Sequence, residues 1–245
     1  MTVLCIDSGN SRLKWALRDG GRWLAQGTRL DTVGSRPTRV LACNVAGDAP
    51  RQSIESFAAS HGLPVEWLQS VAAQGGVTNG YEHPEQLGAD RWAALIGARA
   101  LHPGDCVVVM SGTATTIDVL AADGRFRGGL IMPGLRLMRE ALAGGTANLP
   151  VAAGSFAEQP RNTFDAIASG ALQAGFAAPQ MMQVGGVVAQ PFEVDSVRLH
   201  GPVGHGEQFE VVGGFEGDVH RGSDAGERGV HLVRGQVLVR HGGVA

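Results

Sequence analysis

Short apolar runs separated by turn residues dominate the first hundred positions of the chain. Residues 3–6 form one such run, and residues 12–18 and 22–28 are predicted as two further strands, joined by a hairpin turn at Asp19-Gly20-Gly21. Further strands are predicted at residues 40–45 and 65–68. Amphipathic or Ala-rich stretches predict helices at 52–61 and 90–101.

A similar order of elements returns after Pro103-Gly104. The pattern predicts strands at 106–110, 116–121 and 126–131, a polar turn at 111–115, a hairpin turn at Asp123-Gly124, and helices at 138–143 and 162–174. We therefore expect an α/β fold of two similar halves that face each other across a cleft. The boundary near Pro103-Gly104 gives predicted domains at 1–103 and 104–245.

The last part of the chain has a different character. Residues 176–245 contain no Ile, Lys, Trp or Tyr, Gly and Val dominate, and only short pieces such as 230–239 look like strands. Five of the eight histidines fall there without the spacing of a zinc site, so we predict surface positions for them. They are His200, His205, His220, His231 and His241.

Composition narrows the class of protein. Hydrophobic content of 44% and charged content of 18% are values of a globular chain. The formal net charge of -3 gives no electrostatic reason to expect a nucleic-acid or membrane partner. The three cysteines are widely spaced, which predicts free thiols in a reducing compartment. The N-terminus lacks the basic start and apolar stretch of a signal peptide, so we expect a cytoplasmic protein.

The first segment that can carry chemistry is Asp7-Ser8-Gly9-Asn10-Ser11-Arg12-Leu13-Lys14. A strand ends in a carboxylate, and the Gly/hydroxyl turn that follows lets backbone amides approach an anion. Asp7 can hold Mg²⁺, and Lys14, the only lysine of the chain, can place a positive charge on phosphates. The alternative is an ordinary β-turn. The segment is neither a Walker A loop nor a GxGxxG motif.

The second segment is Gly88-Ala89-Asp90-Arg91, preceded by Tyr81. Asp90 can accept the proton of a substrate hydroxyl while Arg91 and Tyr81 orient that substrate. The alternative is structural, since an acidic residue at the start of a helix commonly serves as a cap.

Two further segments lie in the second half. The turn at 112–118 carries Thr113, which can contact phosphates, although the segment alone also fits a Thr-rich strand edge. Glycines at 128–134 allow close backbone packing after a strand, and a structural turn explains them equally well.

Taken together and in order, these segments resemble the type III pantothenate kinases, a family that also contains the Bvg accessory factor. The resemblance covers residues 1–175. It rests on DSGNSRLK at 7–14, Tyr81 followed by LGADR at 87–91, SGTATTID at 111–118, GGLIMPG at 128–134 and NTFDAIASG at 162–170.

The resemblance implies ATP- and Mg²⁺-dependent phosphorylation of pantothenate to 4'-phosphopantothenate, the first step of coenzyme A biosynthesis. It also implies two actin-like (ribonuclease H-like) ASKHA domains and a homodimer. Asp90 would be the catalytic base. The implied ATP and phosphate contacts are Asp7, Ser8, Gly9, Asn10, Ser11, Arg12, Leu13, Lys14 and Thr113. The implied pantothenate contacts are Tyr81, Gly88, Ala89, Asp90, Arg91 and Thr163, the last across the dimer interface.

Two features depart from the family pattern. Met110 occupies a position where the family has an acidic residue associated with K⁺ or NH₄⁺, and a thioether is a poor ligand for a hard cation. Residues 176–245 lack the family's late Gly-Gly-Asp-Ala-type segment and closing helix. Their composition leads to the hypothesis that a GC-rich gene is translated there in a shifted frame.

Three functional readings follow from the sequence. An active ATP-dependent kinase is the leading one, because Asp7, Lys14, Asp90 and Arg91 are all present. A degenerate, non-catalytic binding or accessory factor is the alternative that Met110 and the altered tail favour. A chaperone or structural ATPase of the actin/Hsp70 type is disfavoured, since 245 residues leave no room for a client domain.

Overall fold

A computed structural model describes residues 1–34, 36–149 and 154–180, together with six short strands between 183 and 240, with side chains through residue 175. The chain divides into two compact units. The first comprises residues 1–103 and 122–128, and the second comprises residues 104–121 and 129–245. The predicted boundary at 103–104 lies where the chain first passes from the first unit to the second. The chain then returns to the first unit over residues 122–128.

The first unit is built on a five-stranded mixed sheet. Its strands are β1 (Thr2–Ser8), β2 (Leu13–Asp19), β3 (Arg22–Gly27), β4 (Arg39–Asn44) and β5 (Val65–Trp67). Their order is β3-β2-β1-β4-β5. The first three strands form an antiparallel meander, while β4 lies parallel to β1 and β5 parallel to β4. This is the sheet order of the ribonuclease H-like fold.

Alternating side chains of these strands supply the core of the first unit. Every second residue points to the same face of a strand, so Leu4 and Ile6 of β1 meet Trp15 and Leu17 of β2. Helix α1 (Asp48–Ser60) covers this face through Ile54 and Ala58. The buried apolar residues are Leu4, Ile6, Trp15, Leu17, Val40, Ala42, Ile54 and Ala58.

A short hairpin and a second helix complete the first unit. The hairpin pairs β6 (Ala73–Gln74) with β7 (Val77–Thr78), and a 3-10 turn at Pro84–Gln86 leads into α2 (Ala89–Leu101). Helix α2 buries one stripe of residues and contacts β4 and β7. The stripe consists of Arg91, Trp92, Ala94, Leu95 and Ala98.

The second unit repeats the antiparallel meander with β8 (Cys106–Ser111), β9 (Ala114–Leu120) and β10 (Phe126–Pro133). Val107, Val109 and Ile117 form its buried cluster, with Met132 packed against them. Helices α3 (Leu135–Gly145) and α4 (Thr163–Gln180) contact each other, and α4 contacts β9.

Only the backbone of short strands is described beyond α4. They are β11 (Gln183–Val184), β12 (Val187–Val188), β13 (Val197–His200), β14 (Gln208–Val211), β15 (Val230–Val233) and β16 (Gln236–Arg240). The sheet order of the second unit is β10-β9-β8-β16-β15, and β16 lies antiparallel to β8. The prediction of surface positions for the five late histidines concerns side chains outside the described residues.

The predicted α/β fold with two actin-like units is confirmed. The main differences concern where helices begin and end: α1 begins at Asp48 instead of residue 52, α3 at Leu135 instead of 138, and α4 extends to Gln180 instead of 174. Within the described part of the chain, none of the helices is both long and apolar enough to cross a bilayer.

Candidate active site

The carboxyl ends of two parallel strands bring the first polar residues together. Asp7 and Ser8 end β1, and Asp7 lies beside Cys43 in the register with β4. The Cys43 thiol donates a hydrogen bond to Asp7 Oδ1 at 3.4 Å. On the opposite side, Lys14 of β2 is the cross-strand partner of Asp7, with its Nζ 3.9 Å from Asp7 Oδ2. Ligands of open α/β sheets commonly bind at this edge.

The turn between β1 and β2 carries several of the predicted phosphate-binding residues. Gly9 N–H donates to Arg12 O at 3.2 Å and closes the turn, while Ser8 O accepts a hydrogen bond from Val45 N–H at 2.9 Å. Asn10, Ser11 and Arg12 are exposed at its tip. Ser8 is buried, and Leu13 packs against the core of the unit. The segment 7–14 is therefore anchored at both ends and polar in the middle.

The buried thiol of Cys43 has a raised pKa. Burial raises the pKa of Cys43, and the negative charges of Asp7 and Asp90 raise it further. Asp7 also accepts the hydrogen bond of this thiol, so its effect on the pKa of Cys43 is larger than that of Asp90. Cys43 was predicted only as one of three free thiols, and it is one of the buried pair Cys43 and Cys106.

We expect the stability of the metal-free protein to fall above about pH 9 because of Cys43. The unfolded thiol loses its proton near its ordinary value of 9.0, whereas the folded thiol stays protonated, so the unfolded state binds fewer protons at high pH. The free energy of unfolding should then drop by about 1.4 kcal/mol per pH unit from this group. Urea titrations at pH 8 to 11 measure it. Cys43→Ser should remove this component, and an identical slope in the variant would contradict the assignment.

Asp90 lies in the first turn of α2, where the helix dipole favours a negative charge. Its Oδ1 accepts a hydrogen bond from Arg91 N–H at 2.8 Å. Gly88 precedes the helix, and a Cβ at that position would meet Asp90 Oδ1 at 2.6 Å. Glycine at 88 therefore leaves room for the carboxylate to turn back over the helix start. Ala89 is the first residue of the helix.

Tyr81 and Arg91 are in direct contact. Arg91 is buried, and its Nη1 donates a hydrogen bond to the Tyr81 hydroxyl at 3.1 Å. Asn79 fixes the backbone before Tyr81, because its Oδ1 accepts from Tyr81 N–H at 3.0 Å. The Asn79 amide also donates to Ser70 Oγ and to the backbone oxygens of Val71 and Pro84. Asn79 thus fixes the loop that carries Tyr81, a role that was not predicted from the sequence.

The remaining predicted residues lie in the second unit. Thr113 is half-buried in the turn between β8 and β9, where Gly112 N–H donates to Ala114 O at 3.0 Å. Gly134, from the segment 128–134, donates its N–H to Thr113 O at 2.9 Å. Met110 is half-buried in β8 and pairs with Thr116.

Thr163 is exposed at the first position of α4. The helix start next to it is well ordered by hydrogen bonds: Asn162 Oδ1 accepts from Asp165 N–H at 2.9 Å, and Asp165 Oδ1 accepts from Ser155 N–H at 2.7 Å. The pKa of Asp165 is lowered by the bond from Ser155 N–H and then by a further bond, which Asn162 Nδ2 donates to Asp165 Oδ2 at 2.6 Å. The geometry keeps Thr163 on the surface of its unit.

Chemically, the first unit combines an accessible carboxylate, a lysine, a polar turn and a second carboxylate at a helix start. No group of three or more His, Cys, Asp or Glu side chains that could hold a metal occurs among the described residues. A single carboxylate suits Mg²⁺, which usually keeps several waters and takes one or two carboxylates together with substrate phosphates. Asp7 fits this role, because its side chain is 41% exposed and one oxygen is already oriented by Cys43.

Comparison with known proteins identifies the family of this chain. The sequence pattern of the type III pantothenate kinases matches residues 27–187. The chain is 48% identical over 190 residues to a type III pantothenate kinase of Aromatoleum aromaticum, covering 74% of this chain and 78% of that protein. A type III pantothenate kinase of Dechloromonas aromatica is 47% identical over 182 residues, with 70% and 76% covered. One of Laribacter hongkongensis is 40% identical over 227 residues, with 86% of each covered. The chain therefore belongs to the type III pantothenate kinase family.

Proposed function

We propose that this chain transfers the γ-phosphoryl group of ATP to the primary hydroxyl of pantothenate, which gives 4'-phosphopantothenate and begins coenzyme A biosynthesis. The observation that carries the proposal is the family match over residues 27–187, a range that includes Asp90 at the start of α2. The chain covers 78% of the length of its Aromatoleum relative. The family match and the similar kinases give no support to the non-catalytic alternative.

Asp90 is proposed as the general base. As the pantothenate hydroxyl oxygen bonds to the γ-phosphorus, its proton passes to the Asp90 carboxylate, the bond from phosphorus to the bridging oxygen breaks, and ADP leaves. The hydrogen bond from Arg91 N–H to Oδ1 fixes the orientation of the carboxylate before the substrate arrives. Such positioning, with charge stabilisation, accounts for most of the catalysis of phosphoryl transfer.

The charged and polar groups around Asp90 are proposed to hold the two substrates. The exposed turn of residues 9–12 offers backbone amides and hydroxyls to the phosphates, and Lys14 adds a compact positive charge. Arg91 and Tyr81 bind pantothenate, an anion that a buried guanidinium can recognise. Gly88 and Ala89 contribute backbone beside it. In the second unit, Thr113 is a further proposed ATP contact and Thr163 a proposed pantothenate contact.

Asp7 is the residue that would hold Mg²⁺. The ion would neutralise charge on the phosphates when bound. The monovalent cation is a different matter: Met110 offers a thioether, which is unsuited to K⁺ or NH₄⁺, so no step is assigned to such an ion. We further propose that the chain acts as a homodimer in the cytoplasm, with Thr163 of each copy reaching the site of the other.

Turnover of pantothenate tests the proposal directly. Purified protein with ATP, Mg²⁺ and pantothenate should form ADP and 4'-phosphopantothenate in equal amounts, detected by a coupled ADP assay and by mass spectrometry of the product. Omitting pantothenate should remove the ADP signal. ADP formation that does not depend on pantothenate, or the absence of a phosphorylated product, would contradict the proposal.

A further inference from the structure

A segment from the second half of the sequence is part of the first unit. Residues 122–128, which comprise the loop after β9 and the first three residues of β10, group with residues 1–103. Thr78 N–H donates to Gly124 O at 2.9 Å, and Thr78 forms a parallel bridge with Arg125. Arg99 Nη1 donates to Ala122 O at 2.7 Å. The segment is therefore bonded through its backbone to the loops that precede α2 and to α2 itself.

Two glycines let the backbones approach closely at this contact. A Cβ at Gly80 would lie 1.9 Å from Phe126 O, and a Cβ at Gly124, whose φ is +84°, would lie 2.2 Å from Gly76 O. No side chain fits at such distances, so the segment and the loop before Tyr81 are fixed against each other. Phe126 is thereby held directly beside Tyr81.

Phe126 packs against both members of the Tyr81–Arg91 pair. Its side chain is fully buried, and its ring centroid lies 5.3 Å from that of Tyr81. The Arg91 guanidinium carbon lies 5.9 Å from the Phe126 ring centroid and 5.7 Å from the Tyr81 ring centroid. Both distances are within the range of cation–π attraction. Two aromatic rings and one hydroxyl are thus among the groups that contact the Arg91 guanidinium.

We propose that Phe126 is a positioning residue for pantothenate recognition, which acts by holding the Arg91–Tyr81 pair in its binding geometry. This inference rests on the proposed function. Because Phe126 is fully buried, it can affect the substrate only through its neighbours, which include Tyr81 and Arg91. An arginine that is fixed before binding loses less conformational freedom when the ligand arrives. Fixing Arg91 should therefore raise the affinity for pantothenate. ATP binding, which is assigned to the turn of residues 7–14, should not depend on Phe126.

Phe126→Leu tests the inference through the separate Michaelis constants of the two substrates. We expect KM for pantothenate to rise about three- to tenfold, the effect of losing one partly desolvated cation–π contact. KM for ATP and kcat should stay within about twofold, because Asp90 and the phosphate turn are untouched. Phe57→Leu is the matched control: it also removes a phenyl ring from the first unit, but that ring stacks on His61 at 4.4 Å. It should leave KM for pantothenate unchanged.

A double variant separates positioning from general core packing. If Phe126 acts through Arg91, then Phe126→Leu should add little to the KM defect of Arg91→Lys, whereas independent effects would multiply. An unchanged KM for pantothenate in folded Phe126→Leu, an equal rise in Phe57→Leu, or multiplicative effects in the double variant would each overturn the inference. Phe126→Met, which keeps a long apolar side chain, replaces Phe126→Leu if the latter does not fold, with the same criteria. A wild-type protein without pantothenate turnover would instead refute the proposed function.

Discussion

Replacing Asp90 with Asn is expected to lower the rate of 4'-phosphopantothenate formation by about a hundred- to ten-thousand-fold, the range that a general base typically contributes. Asparagine has nearly the same shape, and its side-chain oxygen can still accept the hydrogen bond from Arg91 N–H that Asp90 Oδ1 accepts at 2.8 Å. The amide cannot take up the hydroxyl proton at neutral pH. The measurement is the initial rate at saturating ATP and pantothenate.

A helix-capping role for Asp90 makes a different prediction, and Asp48 is the control that distinguishes the two. Asp48 is the acidic residue in the first turn of α1, as Asp90 is in the first turn of α2. Loss of either charge at a helix start should cost about 0.3–1 kcal/mol of stability. Only Asp90→Asn should also abolish turnover. A rate within about threefold of the wild type, when the base is expected to supply at least a hundredfold, would refute the catalytic role.

The sheets were the most predictable part of the fold. In β2 the buried residues Trp15 and Leu17 alternate with less buried ones, and this period of two identifies a strand, whereas β1 was predicted from its continuous apolar run at 3–6. Turn residues such as Asp19-Gly20 mark the strand ends, because Gly20 adopts a φ of +55° that glycine tolerates. The local sequence was therefore sufficient to predict these strands.

Helix boundaries were predicted less well because tertiary packing decides them. Helix α1 begins after Gly47, which has a φ of +87°, and its first turn is mostly polar and exposed. That turn carries no apolar periodicity, so the predicted helix begins at residue 52, four residues after the observed start at Asp48. Helix α4 continues to Gln180, beyond the last residue of the predicted stretch. In α1 the first buried residue is Ile54, so the residues before it give no periodic signal in sequence.

The site shows the same division between local and non-local information. Asp7 and Asp90 were identified because each lies in a recognisable local segment, at a strand end and at a helix start. Cys43, Asn79 and Phe126 were missed as contributors, since each acts on a residue brought near by the fold. A signal did exist for Cys43: it precedes the end of a strand that is parallel to β1, and such strand ends share one edge.

The shifted-frame hypothesis explains the unusual composition of residues 176–245. The family pattern ends at residue 187, within the stretch 176–245 that contains no Ile, Lys, Trp or Tyr. The hypothesis stays a prediction. Sequencing the gene should reveal a family-like C-terminus in another frame, and an unbroken frame in independent isolates would refute it.

Gly134→Ala is expected to weaken ATP binding strongly, because Gly134 supports the turn that carries Thr113. Its N–H donates to Thr113 O at 2.9 Å, and a Cβ would lie 2.0 Å from Gly112 O and 2.8 Å from Thr113 O. Both obstacles are backbone atoms, so the turn itself must move. Overpacking of this kind costs about 1–3 kcal/mol. If the proposed ATP contact moves with the turn, KM for ATP should rise by about tenfold or more, since 1.4 kcal/mol corresponds to a factor of ten.

Gly144→Ala provides the control within the same helix. Gly134 precedes α3 and Gly144 lies near its end, where an added Cβ meets nothing within 4 Å. Alanine there should stabilise the helix by about 0.5–1 kcal/mol and leave both Michaelis constants unchanged. Thermal unfolding and KM for ATP are measured for both variants. Because Gly134→Ala changes only one methyl group, a normal KM for ATP in that variant would mean that the turn around Thr113 does not contribute to nucleotide binding.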